Sequence, residues 1–166
     1  SNFGNTIVGS NNYGVLYTEG NLSVKDTVIS NNEYNNASII TAGNDGYIKY
    51  LTNVDFIGNT ANQIIYAFNA GNITNVNFVG NTTTDHIATF AYGEIGNINA
   101  NFIANTAGGN LLSIYSETAG DITGKYYNNT ASGSLISLED GTINSINIEA
   151  VGNNAKIFFI IFAPFS

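Results

Sequence analysis

Apolar residues along this chain come in short bursts separated by Gly, Asn, Asp and Thr, and the bursts recur about every two dozen residues. "FIGNTA" begins at Phe56, "FVGNTT" at Phe78, "FIANTA" at Phe102 and "YYNNTA" at Tyr126. Each copy places an Asn three residues after its aromatic. These anchors, with a further one near the end, are Asn59, Asn81, Asn105, Asn129 and Asn153. "VISN" at 28–31, ending on Asn31, and "VGSN" at 8–11 share the apolar-x-x-Asn shape at wider spacing. Counted this way, about seven units cover nearly the whole chain.

Each unit repeats the same parts. A polar step follows the anchor, then an apolar strand such as "QIIYAF" at 63–68 or "SLISLE" at 134–139. A Gly turn and a short strand come next, as in "GNITNV" from Gly71 and "GDITGK" from Gly120. Short runs punctuated by Gly, Asn and Asp predict β-strands joined by tight turns, and no 3.6-residue period persists. Three short strands cannot bury an apolar face alone. Stacking like strands in parallel, about 4.8 Å apart, solves this. The predicted fold is therefore all-β: a single-stranded parallel β-helix (β-solenoid) of about seven coils of three short strands, ~30 Å long. It is read as one domain over residues 1–166, part of a longer solenoid.

The repeat assigns columns. Phe56, Phe78, Phe102 and Tyr126 lie three before the anchors, and Phe68, Phe90, Ile114 and Leu138 lie nine after; both sets are predicted core. Tyr66, Ala88, Leu112 and Ile136, seven after, form a third predicted core set. The anchors Asn31, Asn59, Asn81, Asn105, Asn129 and Asn153 are predicted to stack at a corner. There Asn tolerates left-handed backbone and its amides bond up the rod. The row Thr60, Thr82, Thr106, Thr130 follows four of them as a candidate contact surface.

Composition narrows the possible partners. The chain has 166 residues, 43% hydrophobic and only 10% charged, with a formal net charge of −8. Four Lys and no Arg offer no basic stripe, which excludes a nucleic-acid groove and disfavours anionic lipid. No Cys is present, so disulfide frameworks and thiolate chemistry are excluded. No signal peptide is visible ahead of the opening Ser, which reads as a mature chain or an excerpt. The longest apolar run, "IFFIIFA" at 157–163, is too short for a membrane-spanning helix.

The motif aromatic-x-x-Asn-x-Ala, in "FIGNTA", "FIANTA" and "YYNNTA", resembles the FxxN repeats of chlamydial polymorphic outer-membrane proteins. It is also similar to repeats of other autotransporter passengers and of methanogen adhesin-like proteins. The resemblance implies a right-handed β-helix passenger, secreted or on the cell surface, acting in adhesion or surface coating. Those families usually pair FxxN with a GGA-aliphatic motif, and only "AGGNLL" at 107–112 echoes it. No catalytic residues come with the resemblance.

The residues give little support to other chemistries. His86 is the single His and reads as a solvated turn residue, with no second His or Cys to complete a transition-metal set. Glycan cleavage needs two carboxylates facing across a substrate; Glu139 and Asp140 are sequence neighbours, and Asp55, Asp85, Glu94, Glu117 and Asp121 share no column. "GNDG" at 43–46 reads as a loop insertion rather than a calcium turn. An ice-binding solenoid would carry two Thr ranks, and the +2 position holds Ala61, Thr83, Ala107 and Ala131. N-glycosylation sequons occur at Asn21, Asn36, Asn72, Asn81 and Asn128. The terminal strand "KIFFIIFAPF" is apolar at successive positions, which puts Phe158, Phe159, Ile160 and Ile161 at a candidate contact surface. The expectation is a non-enzymatic extracellular structural or adhesive module without cofactor. Its partners would be further copies of itself, adjoining coils or glycans. A glycan-cleaving or glycan-binding β-helix and an ice-binding solenoid are the alternatives.

Overall fold

β-Favouring runs too short to bury a face alone gain a core by lying on one another, and the computed structural model of the chain shows the result. It describes residues 2–6, 14–115 and 118–162, with the backbone alone for 2–6 and 160–162. Among them every strand pairing is parallel and no helix occurs, and the chain winds into a β-solenoid of about six turns. The stretch 8–11, expected to open a seventh coil, lies outside the described residues.

One long face is built from Asn21–Glu33, Tyr47–Ile57, Ala70–Val79, Ile98–Ile103, Thr118–Tyr127 and Thr142–Val151. A second, shorter face stacks Leu16–Thr18, Ile40–Ala42, Ile65–Ala67, Ala88–Ala91 and Leu112–Tyr115, with later coils supplying Thr130–Glu139 and Asn154–Phe162. Between them lie two-residue strands, Thr60–Ala61, Thr82–Thr83 and Thr106–Ala107. Successive long strands lie in register, so Ile29, Phe56, Phe78, Phe102, Tyr126 and Ala150 form one column. Coil length is not constant: the anchor-to-anchor step is 27 residues from Asn32 to Asn59, then 22, then 24.

The core is a set of such columns. Phe56 stacks on Phe78 with centroids 5.1 Å apart and planes 7° apart, and Phe78 stacks on Phe102 at 4.6 Å and 13°. Tyr126 closes the stack at 4.8 Å and 35°. Aromatic pairs at these distances add ~0.5–1.5 kcal/mol each beyond area burial. Phe90, Ile114 and Leu138 also share a buried column.

Phe68 does not belong to that column. Ala67 pairs with Phe90 and fills it, leaving Phe68 half-buried outside. Tyr66 is displaced in the same way, since Ile65 pairs with Ala88 and Tyr66 with Thr89. The coil after Asn81 holds one residue more before its apolar strand than the coil after Asn59. Fixed offsets from the anchor therefore slip by one.

Tyr126 carries an internal conflict. It is fully buried, and its hydroxyl has no hydrogen-bond partner among the described residues. Burial pushes its phenol strongly upward, so the hydroxyl stays protonated and unpaired. An unpaired buried polar group costs ~1–3 kcal/mol. Tyr126→Phe, which restores the ring of the three coils below, is expected to stabilise the fold by about 1 kcal/mol. Urea denaturation checks this as a rise in midpoint at unchanged slope; a fall would show that the hydroxyl is satisfied.

Candidate binding surface

A coil that turns inside its own core leaves main-chain groups without partners, and this chain meets the need with one amide per turn. The residue before each anchor is left-handed: Asn31 at φ 55°, Gly58 at 64°, Gly80 at 63°, Ala104 at 56°, Asn128 at 57° and Gly152 at 69°. The next residue is the ladder Asn, buried in every coil but the last, where Asn153 is half-buried. In the early coil this is Asn32, not Asn31; Asn31 is exposed and supplies the bend. The ladder is therefore Asn32, Asn59, Asn81, Asn105, Asn129 and Asn153.

Its geometry repeats from coil to coil. The main-chain N–H and the Nδ2 of Asn81 both donate to Asn105 Oδ1, each at 3.0 Å. Asn81 Nδ2 also donates to the carbonyl of Phe56 at 2.9 Å. Asn105 repeats the pattern onto Asn129 Oδ1 and the carbonyl of Phe78. Each such amide uses both donor hydrogens and both acceptor positions, the full capacity of the group. This is a structural site. The sequon at Asn81 is accordingly closed, because that side chain is fully buried.

Outside the core, three further ladders run along the long face. Asn53 donates to Asp26 at 3.0 Å and Asn75 to Asn53 at 2.7 Å, while Asn99, which donates to Thr123, accepts the Asn75 N–H at 3.0 Å. Asn77 donates to Asp55 and Asn101 to Asn77, both at 2.8 Å, and Lys125 N–H donates to Asn101 Oδ1 at 2.9 Å. Asn72 accepts from Asn97 N–H and Asn97 from Asp121 N–H. Asp121 accepts from Asn144 and Ser145, and those two bonds hold its carboxyl below the usual carboxylate range. Sequence reasoning missed these three ladders; the Asn and Asp at matching steps in successive units were the available signal.

Thr60, Thr82, Thr106 and Thr130 pair in register and are all exposed, forming a single outward rank. The positions beside them, Ala61, Thr83, Ala107 and Ala131, point inward. Phe158 and Phe159 are exposed on the last strand, which pairs with Thr130–Glu139. The side chains of Ile160 and Ile161 lie outside the described residues, as does Glu117. No cluster of three His, Cys, Asp or Glu side chains suited to a metal exists among the described residues, and no helix among them is long and apolar enough to cross a membrane.

His86 is not a solvated turn residue. It is half-buried, and its Nδ1 accepts the N–H of Asn110 at 2.8 Å, as Asn110 Oδ1 in turn accepts the N–H of Ser134 at 2.8 Å. The neutral ring thus carries its proton on Nε2, 3.4 Å from Asp85 Oδ1. Burial lowers its pKa from the ordinary 6.5, against the opposing pull of Asp85.

No family model, no curated protein and no solved structure matches this chain. The geometry therefore stands alone: a parallel β-solenoid with one buried amide ladder and several exposed polar ones.

Two outcomes follow from these sites. Asn105→Ala strands the N–H groups of Asn81 and the carbonyl of Phe78, and is expected to cost about 3 kcal/mol, against ~0.5 or less for the exposed Asn99→Ala. Equal losses in urea melts of the two variants would refute the assignment. For His86, the unfolded chain takes a proton near pH 6.5 that the folded chain resists. Stability therefore falls as pH drops through 6.5 and levels once the folded ring titrates. His86→Asn keeps an acceptor for Asn110 and should flatten that dependence between pH 7 and about 5.5, above the carboxylate range; an unchanged slope would place the titration elsewhere.

Proposed function

We propose that this chain is an extracellular, cell-surface or secreted, structural and adhesive module. It presents a rigid rod whose outer faces are repetitive, polar and mostly uncharged. The observation that carries this reading is the continuity of the exposed amide and hydroxyl ladders from coil to coil. A surface of this kind makes many equivalent weak contacts rather than one strong one, so adhesion would rest on multivalency. The resemblance of the FxxN repeats to autotransporter passengers and methanogen adhesin-like proteins points the same way, and with it to a right-handed coil. Amides and hydroxyls suit the hydroxyl groups of glycans. The negative charge and lack of Arg disfavour polyanionic partners such as nucleic acid.

A second reading, self-association of copies, is favoured by one observation. Ile157 and Phe159 continue the buried columns of Ser134 and Ile136 and, with Phe158, are exposed on the last described strand, which suits packing against adjoining coils or another copy.

One experiment addresses both. Inert beads coated with the chain are expected to adhere to glycan-coated surfaces in proportion to coating density, or to clump with one another. Clumping that Phe158→Ser with Phe159→Ser abolishes would assign self-association. Beads that neither adhere nor clump at any density would sink the adhesive reading.

A further inference from the structure

The two faces meet at a corner whose length differs from coil to coil. Between the paired positions Ala42/Ala67/Phe90 and Ile48/Ala70/Ile95, one coil spends residues 43–47, the next only 68–69, and the third 91–94. A short turn between two long ones leaves a trough. Phe68 and Asn69 form its floor, the 43–47 turn one wall, and Tyr92, Gly93 and Glu94 the other. Two adjoining hollows of about 600 and 440 Å³ occupy it, both lined by Asn44 and Asn69. Volumes in that range are typical of ligand clefts.

Tyr92 is the unusual residue there. It is 65% exposed, the most exposed of the large hydrophobic side chains among the described residues, and its backbone is left-handed at φ 65°. An aromatic residue in that conformation is an outlier, and Gly or Asn would sit there with less strain. The following Gly93, at φ 100°, packs where a Cβ would collide with the Asn69 side-chain oxygen, so the turn is held. Beneath the Tyr92 ring lies Phe68, 5.4 Å away with planes 17° apart. The ring is thus backed on one side and presented to solvent by a strained turn, a cost that core packing does not explain.

We propose that this trough binds an uncharged polysaccharide, with Tyr92 as the platform on which a sugar ring stacks. An aromatic face takes the C–H side of a pyranose, as aromatic clefts with a few placed polar groups do. Asn44, Asn69, Asp45 and Glu94 offer amides and carboxylates to the hydroxyls at its edge. No Lys lines either hollow, and the two carboxylates would repel uronic or sulfated sugars. The proposal rests on the adhesive reading for the class of ligand, and on the trough alone for the site.

Affinity electrophoresis of the full chain through gels containing hydroxyethylcellulose, glucomannan or polygalacturonate tests it. Retardation is expected with a neutral polymer and not with polygalacturonate. Tyr92→Ala should weaken the apparent affinity about tenfold, the scale of one lost stacked ring. Tyr92→Gly removes the ring and relieves the left-handed strain, so it should lose binding equally while its melting temperature holds or rises. The site is overturned if Tyr92→Gly is retarded like the parent chain, if polygalacturonate retards as strongly as the neutral gels, or if no neutral gel retards at all. Bead adhesion surviving any of these would leave the adhesive reading standing on another face. Tyr92-dependent retardation without bead adhesion would keep the site and remove the adhesive role.

Discussion

Main chain that bends inside a core must find partners for its own N–H and C=O groups, and in this rod one side-chain amide per coil provides them. Backbone and side chain share the task. A left-handed residue turns the chain, and the Asn that follows points its amide inward, where it reaches the coil on either side. The aromatic stack depends on the same geometry, because the carbonyl of each stacked aromatic is the acceptor for an anchor one coil on. Corner, core and coil spacing are thus one arrangement. Loss of an anchor would disturb all three.

Stacking also explains the composition. In a rod of parallel coils each side chain lies beside the equivalent residue of the next coil, so a charge meets its own kind unless the column alternates, and like charges opposite one another destabilise. Several of the described charged residues follow this rule. Asp26 and Asp55 lie against Asn53 and Asn77, Asp121 is held by Asn144 and Ser145, and Lys125 pairs in register with Glu149. Amides and hydroxyls, which donate and accept at once, suit such columns without alternation. The low charge content, 10%, suits this geometry.

The period, the parallel stacking and the Phe56–Tyr126 column were legible from the chain because they are properties of spacing. Registers at the coil ends were not. Asn31 looked like an anchor because it completes apolar-x-x-Asn, yet its neighbour Asn32 is the buried amide and Asn31 the left-handed bend that Gly58 and Gly80 provide elsewhere. Phe68 looked like core because it follows Asn59 by nine residues, as Phe90 follows Asn81. A single residue inserted before Ile87 moves it out and Ala67 in. The trough was illegible for a related reason. It arises from a difference in turn length between coils, and no window of sequence holding one coil contains it. His86 looked like a lone turn residue because its role, accepting an N–H one coil away, is invisible along the chain.

The anchor ladder runs one way: each amide oxygen receives from the coil before it, and each amide nitrogen reaches both onward and back. Any coil carrying a left-handed bend and an Asn satisfies its neighbours regardless of what the rest of its sequence says. Whole coils are therefore interchangeable parts. A duplication or deletion of one complete turn would leave every remaining amide with its usual partners, whereas loss of a few residues within a turn would break the ladder at that rung. Evolution along such a rod can change length in units of a coil, and can change what the surface touches by lengthening a single corner.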